Sequence, residues 1–111
     1  MTFITHVLSR AGYRVVPAYG GEDAIRKTQR QKFDLVITDL SMPKVSGVVV
    51  IAAIRSTPET AQVPILVVTA HVWDGIAKSA RQAGCNSCVS KPFTPAQLLQ
   101  EVRKFVKPEG T

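Results

Sequence analysis

The sequence predicts an α/β fold, a doubly wound parallel sheet covered by helices. Three observations carry that expectation. Apolar runs of strand length alternate with stretches of helical spacing along the chain. Two runs, Leu35 to Ile37 and Ile65 to Val68, are continuously apolar, as strands covered on both faces are. Three runs close on a polar side chain: Asp39, Thr69 and, after Cys88-Val89-Ser90, Lys91. A buried unpaired charge is expensive, so such side chains belong at the mouth of a sheet. In open α/β sheets that is where ligands bind.

In order along the chain, Phe3, Ile4, Val7, Leu8 and Ala11 follow helical spacing, and Gly12 can end that helix. Tyr13 to Ala18 reads as a strand. Gly20-Gly21 turns the chain into a helix over 22–31, with Ala24, Ile25 and Thr28 on its inner face. Phe33 to Thr38 is expected to be the central, two-face-buried strand. A loop around Asp39 leads into a helix over 47–55 with Val50, Ile51 and Ile54 inward. Pro58 and Pro64 bracket a loop before the strand Ile65 to Thr69. A helix over 73–83 has a thin apolar stripe, Ile76, Ala80 and Ala83, which buries little area and should be loosely held. After the strand Cys88 to Ser90, Thr94-Pro95-Ala96-Gln97 is a capping box with Pro at the first helical position. Leu98, Leu99, Val102, Phe105 and Val106 form the inward stripe of the last helix, and the tail 107–111 should fray.

At 111 residues, 45% of them hydrophobic, the chain is expected to form a single domain over 1–111 with one core. No apolar run approaches the roughly 20 residues that span a bilayer. The segment Met1-Thr2-Phe3-Ile4-Thr5-His6 lacks the basic region and small-residue cleavage site of a leader. A cytoplasmic location, with no membrane partner, is therefore expected. The net charge of +6 raises the question of nucleic acid. The cations are scattered, with Arg26, Lys27, Arg30 and Lys32 near one helix and Arg103, Lys104 and Lys107 near the last, without interleaved aromatics. They read as solvated helix faces, and no nucleic-acid partner is expected. Cys85 and Cys88 form a C-x-x-C at a turn into a strand. An extended chain separates such Cα atoms by about 10 Å, too far for a disulfide. With no second pair or nearby His to suggest zinc, they read as small buried thiols.

Taken together, Asp39…Met42-Pro43…Gly47, then Thr69-Ala70, then Lys91-Pro92-Phe93, each at a strand end, resemble the receiver domain of two-component response regulators of the chemotaxis-regulator type. The similarity covers about Phe3 to Val106. The resemblance implies a flavodoxin-like fold and a phosphorelay switch without enzyme activity of its own toward a metabolite. Asp39 would be the phosphoacceptor, taking the group from a histidine kinase or phosphotransfer protein. Thr69 would bond the phosphoryl oxygens, and Lys91 would pair with their charge. Lys91-Pro92 would be a cis peptide. Mg²⁺ would be held by Asp39 and the backbone carbonyl of Ser41. A downstream target protein would read the switched surface.

The sequence also departs from that family. The family opens on a strand ending in two adjacent acids that hold Mg²⁺, whereas Met1 aligns inside the first helix. The expected fold is thus a receiver lacking its first strand, read as an internal start or a fragment boundary, and Mg²⁺ binding is expected to be weak. Glu22 and Asp23 lie on the correct edge but match ordinary helix-opening acids; Asp34 begins its strand at the opposite end. The missing strand would lie between Tyr13–Ala18 and Phe33–Thr38. Its loss should leave unpaired backbone groups, marginal stability and self-association through an exposed sheet edge. Cys88 stands where the family usually has an aromatic ring that moves with the phosphorylation state. Ser41 and His71 stand two residues beyond Asp39 and Thr69, at positions that border the phosphoryl group. The rival expectation is a degenerate, metal-free receiver acting as a constitutive protein-interaction or dimerisation module.

Overall fold

The computed structural model describes residues 2–18, 21–39, 47–69 and 76–107. The elements are α1 (Thr2–Arg10), α2 (Gly21–Arg30), β1 (Val36–Asp39), α3 (Gly47–Ser56), a single 3-10 turn (Pro58–Thr60), β2 (Ile65–Thr69), α4 (Ile76–Ala83), β3 (Ser87–Ser90) and α5 (Pro95–Arg103). The strands form one parallel sheet in the order β1-β2-β3. From α2 onward helix and strand alternate as the sequence predicts, and β2 has the predicted bounds.

The period-2 alternation of β2 divides the core into two layers. Leu66 and Val68 pack with Ile4, Leu8, Val89, Leu98 and Val102 on one face. Ile65 and Val67 pack with Val50, Ile51 and Ile54 on the other. All five residues of β2 are buried, because helices cover both of its faces and a strand flanks each of its edges. Burial of each Leu or Ile here contributes about 1.5–3 kcal/mol. The inward stripe expected for α3 is confirmed, with Val50, Ile51 and Ile54 at most 1% exposed. The capping box at α5 forms as read: the Thr94 side chain accepts from the Gln97 N–H at 3.1 Å, and the Gln97 side chain accepts from the Thr94 N–H at 2.8 Å.

Four expectations are corrected. Tyr13–Ala18 is irregular chain and joins no ladder, because among the described residues no strand lies beside it to receive its backbone bonds. It has not moved in against β1. The strand expected over 33–38 is confined to Val36–Asp39 and is the outer strand of the ladder, so Val36 and Ile37 are only half-buried. Phe3 is 50% exposed and meets the ring of Phe93, with centroids 5.7 Å apart, instead of the core. Cys85 and Cys88 are half-buried rather than buried, and their thiols are neighbours because the chain bends at Asn86, between them, instead of running extended. Both remain free cysteines. The expected first half-turn of the helix over 73–83, its Ile76 and Ala80 side chains, and the tail from 108 lie outside the described residues.

At the amino-terminal end of the sheet, Arg55 gathers the two loops that lead into β2 and β3. Its Nε donates to the Gly84 carbonyl at 2.9 Å, one terminal nitrogen to the Val63 and Ala61 carbonyls at 2.6 and 3.1 Å, and the other to Asn86 Oδ1 at 2.8 Å. Asn86 also accepts from the Ile65 N–H and donates its own N–H to the Ile65 carbonyl, both at 2.8 Å. These bonds fix where β2 and β3 start, and therefore where their far ends fall.

Candidate functional site

Parallel register carries the three predicted site residues to one edge. Asp39 is the last residue of β1 and lies opposite Val68, one residue before the end of β2. Thr69 closes β2 opposite Ser90, the last residue of β3. Lys91 follows directly, and its backbone N–H donates to the Thr69 carbonyl at 2.9 Å. The carboxylate, hydroxyl and ammonium residues therefore stand at the carboxyl ends of three adjacent strands. Thr69 is fully buried and Lys91 is exposed. The Lys91-Pro92 peptide is cis, as the resemblance implies. The chain turns there into the capped start of α5.

Ser41, His71 and the loop carrying Met42-Pro43 lie outside the described residues, as does the side chain of Asp39. Cys88 is half-buried against the α3 face of the sheet. Burial, with the neighbouring Cys88 thiol second, pushes the Cys85 thiol up to about 11.

Mg²⁺ takes several oxygens, commonly one or two of them carboxylates. Among the described residues no three His, Cys, Asp or Glu side chains come together. Glu22 and Asp23 open α2, and Asp23 is engaged within its own helix, 3.1 Å from Lys27 Nζ and 3.8 Å from Arg26. Lys27 also donates to the Pro17 carbonyl at 2.6 Å, so this cluster ties α2 to the preceding segment. Asp34 precedes β1 at the opposite end of the sheet, as expected. The ligands that the resemblance implies for Mg²⁺, the Asp39 side chain and Ser41, lie outside the described residues.

Sequence reasoning did not single out Arg55 and Asn86, which set the strand register from the far end. Most of Arg55's acceptors are backbone carbonyls, which leave no signature in the side-chain pattern.

The model of the response regulator receiver domain matches residues 1–103. The chain belongs to the response regulator receiver domain family. Among curated relatives it is similar to the polar-differentiation response regulator DivK of Brucella anthropi, 24% identical over 106 residues that span 96% of this chain and 86% of that protein. Among solved structures it is similar to Vibrio cholerae chemotaxis protein CheY4, with TM-score 0.89, 30% identity, and coverage of 95% of this chain and 88% of the other. It is likewise similar to the receiver domain of a Pseudomonas aeruginosa PAO1 sensor histidine kinase, with TM-score 0.88, 32% identity, and coverage of 94% and 85%. That structure has a magnesium ion coordinated in its active site cleft. Receiver domains are modules of two-component signalling, and this receiver shares their flavodoxin-like fold. No helix among its described residues is long and apolar enough to cross a membrane.

Proposed function

We propose that this receiver is a phosphorelay switch, not a metabolic enzyme, formed by one domain over 1–111 and working in the cytoplasm. Asp39 accepts a phosphoryl group from a histidine kinase or phosphotransfer protein. A carboxylate oxygen of Asp39 attacks phosphorus, the bond from phosphorus to the donor imidazole breaks, and the imidazole leaves with a proton. Thr69 and Lys91 receive the new charge, the hydroxyl by hydrogen bonding and the ammonium by ion pairing. Such transfer depends mostly on positioning and charge neutralisation, so few side chains are needed. A target protein then reads the altered surface, which requires only a modest difference in affinity between two states.

The observation that carries this reading is the convergence of Asp39, Thr69 and Lys91 on adjacent strand ends, coupled by the Lys91 to Thr69 backbone bond. The second reading is a metal-free receiver serving as a constitutive interaction or dimerisation module, with self-association at the β1 edge, where β1 pairs on one side with β2 among the described residues. Intact-mass spectrometry after incubation with acetyl phosphate and Mg²⁺ separates the two. A single phosphoryl adduct that is absent from Asp39→Asn supports the switch. Absence of an adduct at millimolar Mg²⁺, with a folded protein, overturns it in favour of the interaction module.

A further inference from the structure

Cys85 and Cys88 are spaced so that an extended strand would place them on opposite faces of a sheet. Here both pack against the same face. Cys88 lies opposite Val67 in the ladder of β2 and β3, and both cysteines meet the cluster of Val50, Ile51, Ile54, Ile65 and Val67. The bend at Asn86 brings Cys85 round onto that face. Hydrogen bonds hold the segment in this shape. Arg55 donates to the Gly84 carbonyl at 2.9 Å and to Asn86 Oδ1 at 2.8 Å, and the Asn86 N–H donates to the Ile65 carbonyl at 2.8 Å. Next along the chain, Ser87 Oγ donates to Glu101 at 2.8 Å. Two free thiols are thus held as neighbours on one face, and both are only half-buried, open to a small solute.

We propose that Cys85 and Cys88 form a reversible oxidation site, closed to an internal disulfide by a peroxide and reopened by a dithiol that is itself oxidised to a disulfide. With hydrogen peroxide, one thiolate attacks an oxygen, the O–O bond breaks, and hydroxide leaves and is protonated, giving a sulfenic acid and water. The second thiolate attacks that sulfur, the S–O bond breaks, and hydroxide leaves to become a second water. Overall each sulfur gives up one electron and one proton, and peroxide becomes two waters. The second step joins groups already adjacent, so it outruns capture of the sulfenic acid by solutes. Burial pushes the Cys85 thiol up to about 11, against the pull of the nearby Arg81 and Arg55 guanidiniums. The site therefore answers to sustained oxidant and not to a brief trace. Closing so short a loop gains less stability than closing a long one, which suits a bond that opens again. Where thiols are kept reduced, such a bond is transient. The closed bond pins the segment that follows α4 to β3, at the opposite end of β3 from Lys91 and apart from the proposed phosphoryl site.

The test treats the full chain with hydrogen peroxide and reads peptide mass, non-reducing electrophoresis and amide hydrogen exchange. The expected product is a monomer whose peptide holding Cys85 and Cys88 has lost two hydrogens, restored by dithiothreitol. Its yield should not change with protein concentration. Exchange at the Gly84 and Asn86 amides should slow at least about tenfold on oxidation and recover on reduction. Cys85→Ser and Cys88→Ser should each gain oxygen at the remaining thiol or pair with a second chain instead. Wild-type protein that accumulates sulfinic or sulfonic acid on either cysteine, without losing two hydrogens, overturns the disulfide. A bond found only in a cross-linked dimer overturns the internal pairing. Faster exchange at Gly84 and Asn86 on oxidation overturns the pinning.

Discussion

The Lys91 N–H donates to the Thr69 carbonyl at 2.9 Å, joining the ends of neighbouring strands through the backbone of the two residues proposed to meet a phosphoryl group. The link is made by main chain, so it survives substitution of either side chain. Lys91 is exposed, and Lys91→Ala should leave stability within about 0.5 kcal/mol. Labelling of Asp39 by acetyl phosphate should nevertheless fall at least roughly tenfold, since charge neutralisation is lost. Melting curves and adduct yield measured on the same preparation check both halves; unchanged labelling would refute the role of Lys91.

Arg55→Ala should be among the most damaging single changes. It strips donors from the carbonyls of Ala61, Val63 and Gly84 and from Asn86 Oδ1. Leaving part-buried acceptors unpaired should cost about 2–3 kcal/mol, a loss of roughly 10 °C in Tm for a chain of this size. Lysine should rescue little, because a point charge cannot serve a forked set of acceptors. Gly84→Ala should act on the same contact. A Cβ there would lie 2.8 Å from Arg55 Cγ, and φ is +120°. Urea denaturation of the single and double variants should show the two costs to be less than additive.

How much of this was legible beforehand follows from where each signal resides. Strand ends bearing Asp39, Thr69 and Lys91 are visible because a polar residue closing an apolar run is anomalous within a core pattern. The bounds of β2 and the cap at Thr94 are local, set by side chains a few residues apart. Tyr13–Ala18 has the composition of a strand, but pairing is a property of the neighbour, and among the described residues no strand lies beside it. The same reasoning places β1 at the ladder's edge, half-exposed, despite its apolar sequence. The proximity of Cys85 and Cys88 is not legible because an extended-chain estimate ignores the bend at Asn86 between them.

Cys85 should be a sluggish nucleophile. Burial and the adjacent Cys88 hold its pKa near 11, so its thiolate fraction at pH 8 is roughly a thousandth. Alkylation by iodoacetamide, mapped by peptide mass spectrometry, should run about a hundredfold below that of a thiol of ordinary pKa, and should still be accelerating with pH above 10. A rate that levels off below pH 9 would contradict the burial described for this thiol.

Acid should loosen the attachment of α5. Glu101 accepts from Ser87 Oγ at 2.8 Å, which binds the helix to β3, and it pairs with Lys104 Nζ at 2.6 Å. The Lys104 and then the Ser87 hydrogen bonds lower its pKa against a smaller opposing effect of burial. The folded carboxyl therefore holds its proton less tightly than the unfolded one. Its stabilisation is complete above the ordinary value of 4.5 and disappears as pH falls through the lower folded value. The wild-type chain should lose stability over that acidic window more steeply than Glu101→Gln, whereas the two should differ by a constant amount between pH 6 and 8. Thermal melts across pH 3 to 8 measure the difference directly. Parallel curves throughout would mean that the Ser87 bond is made equally well by a neutral side chain, and that charge at Glu101 has no part in holding α5 to the sheet.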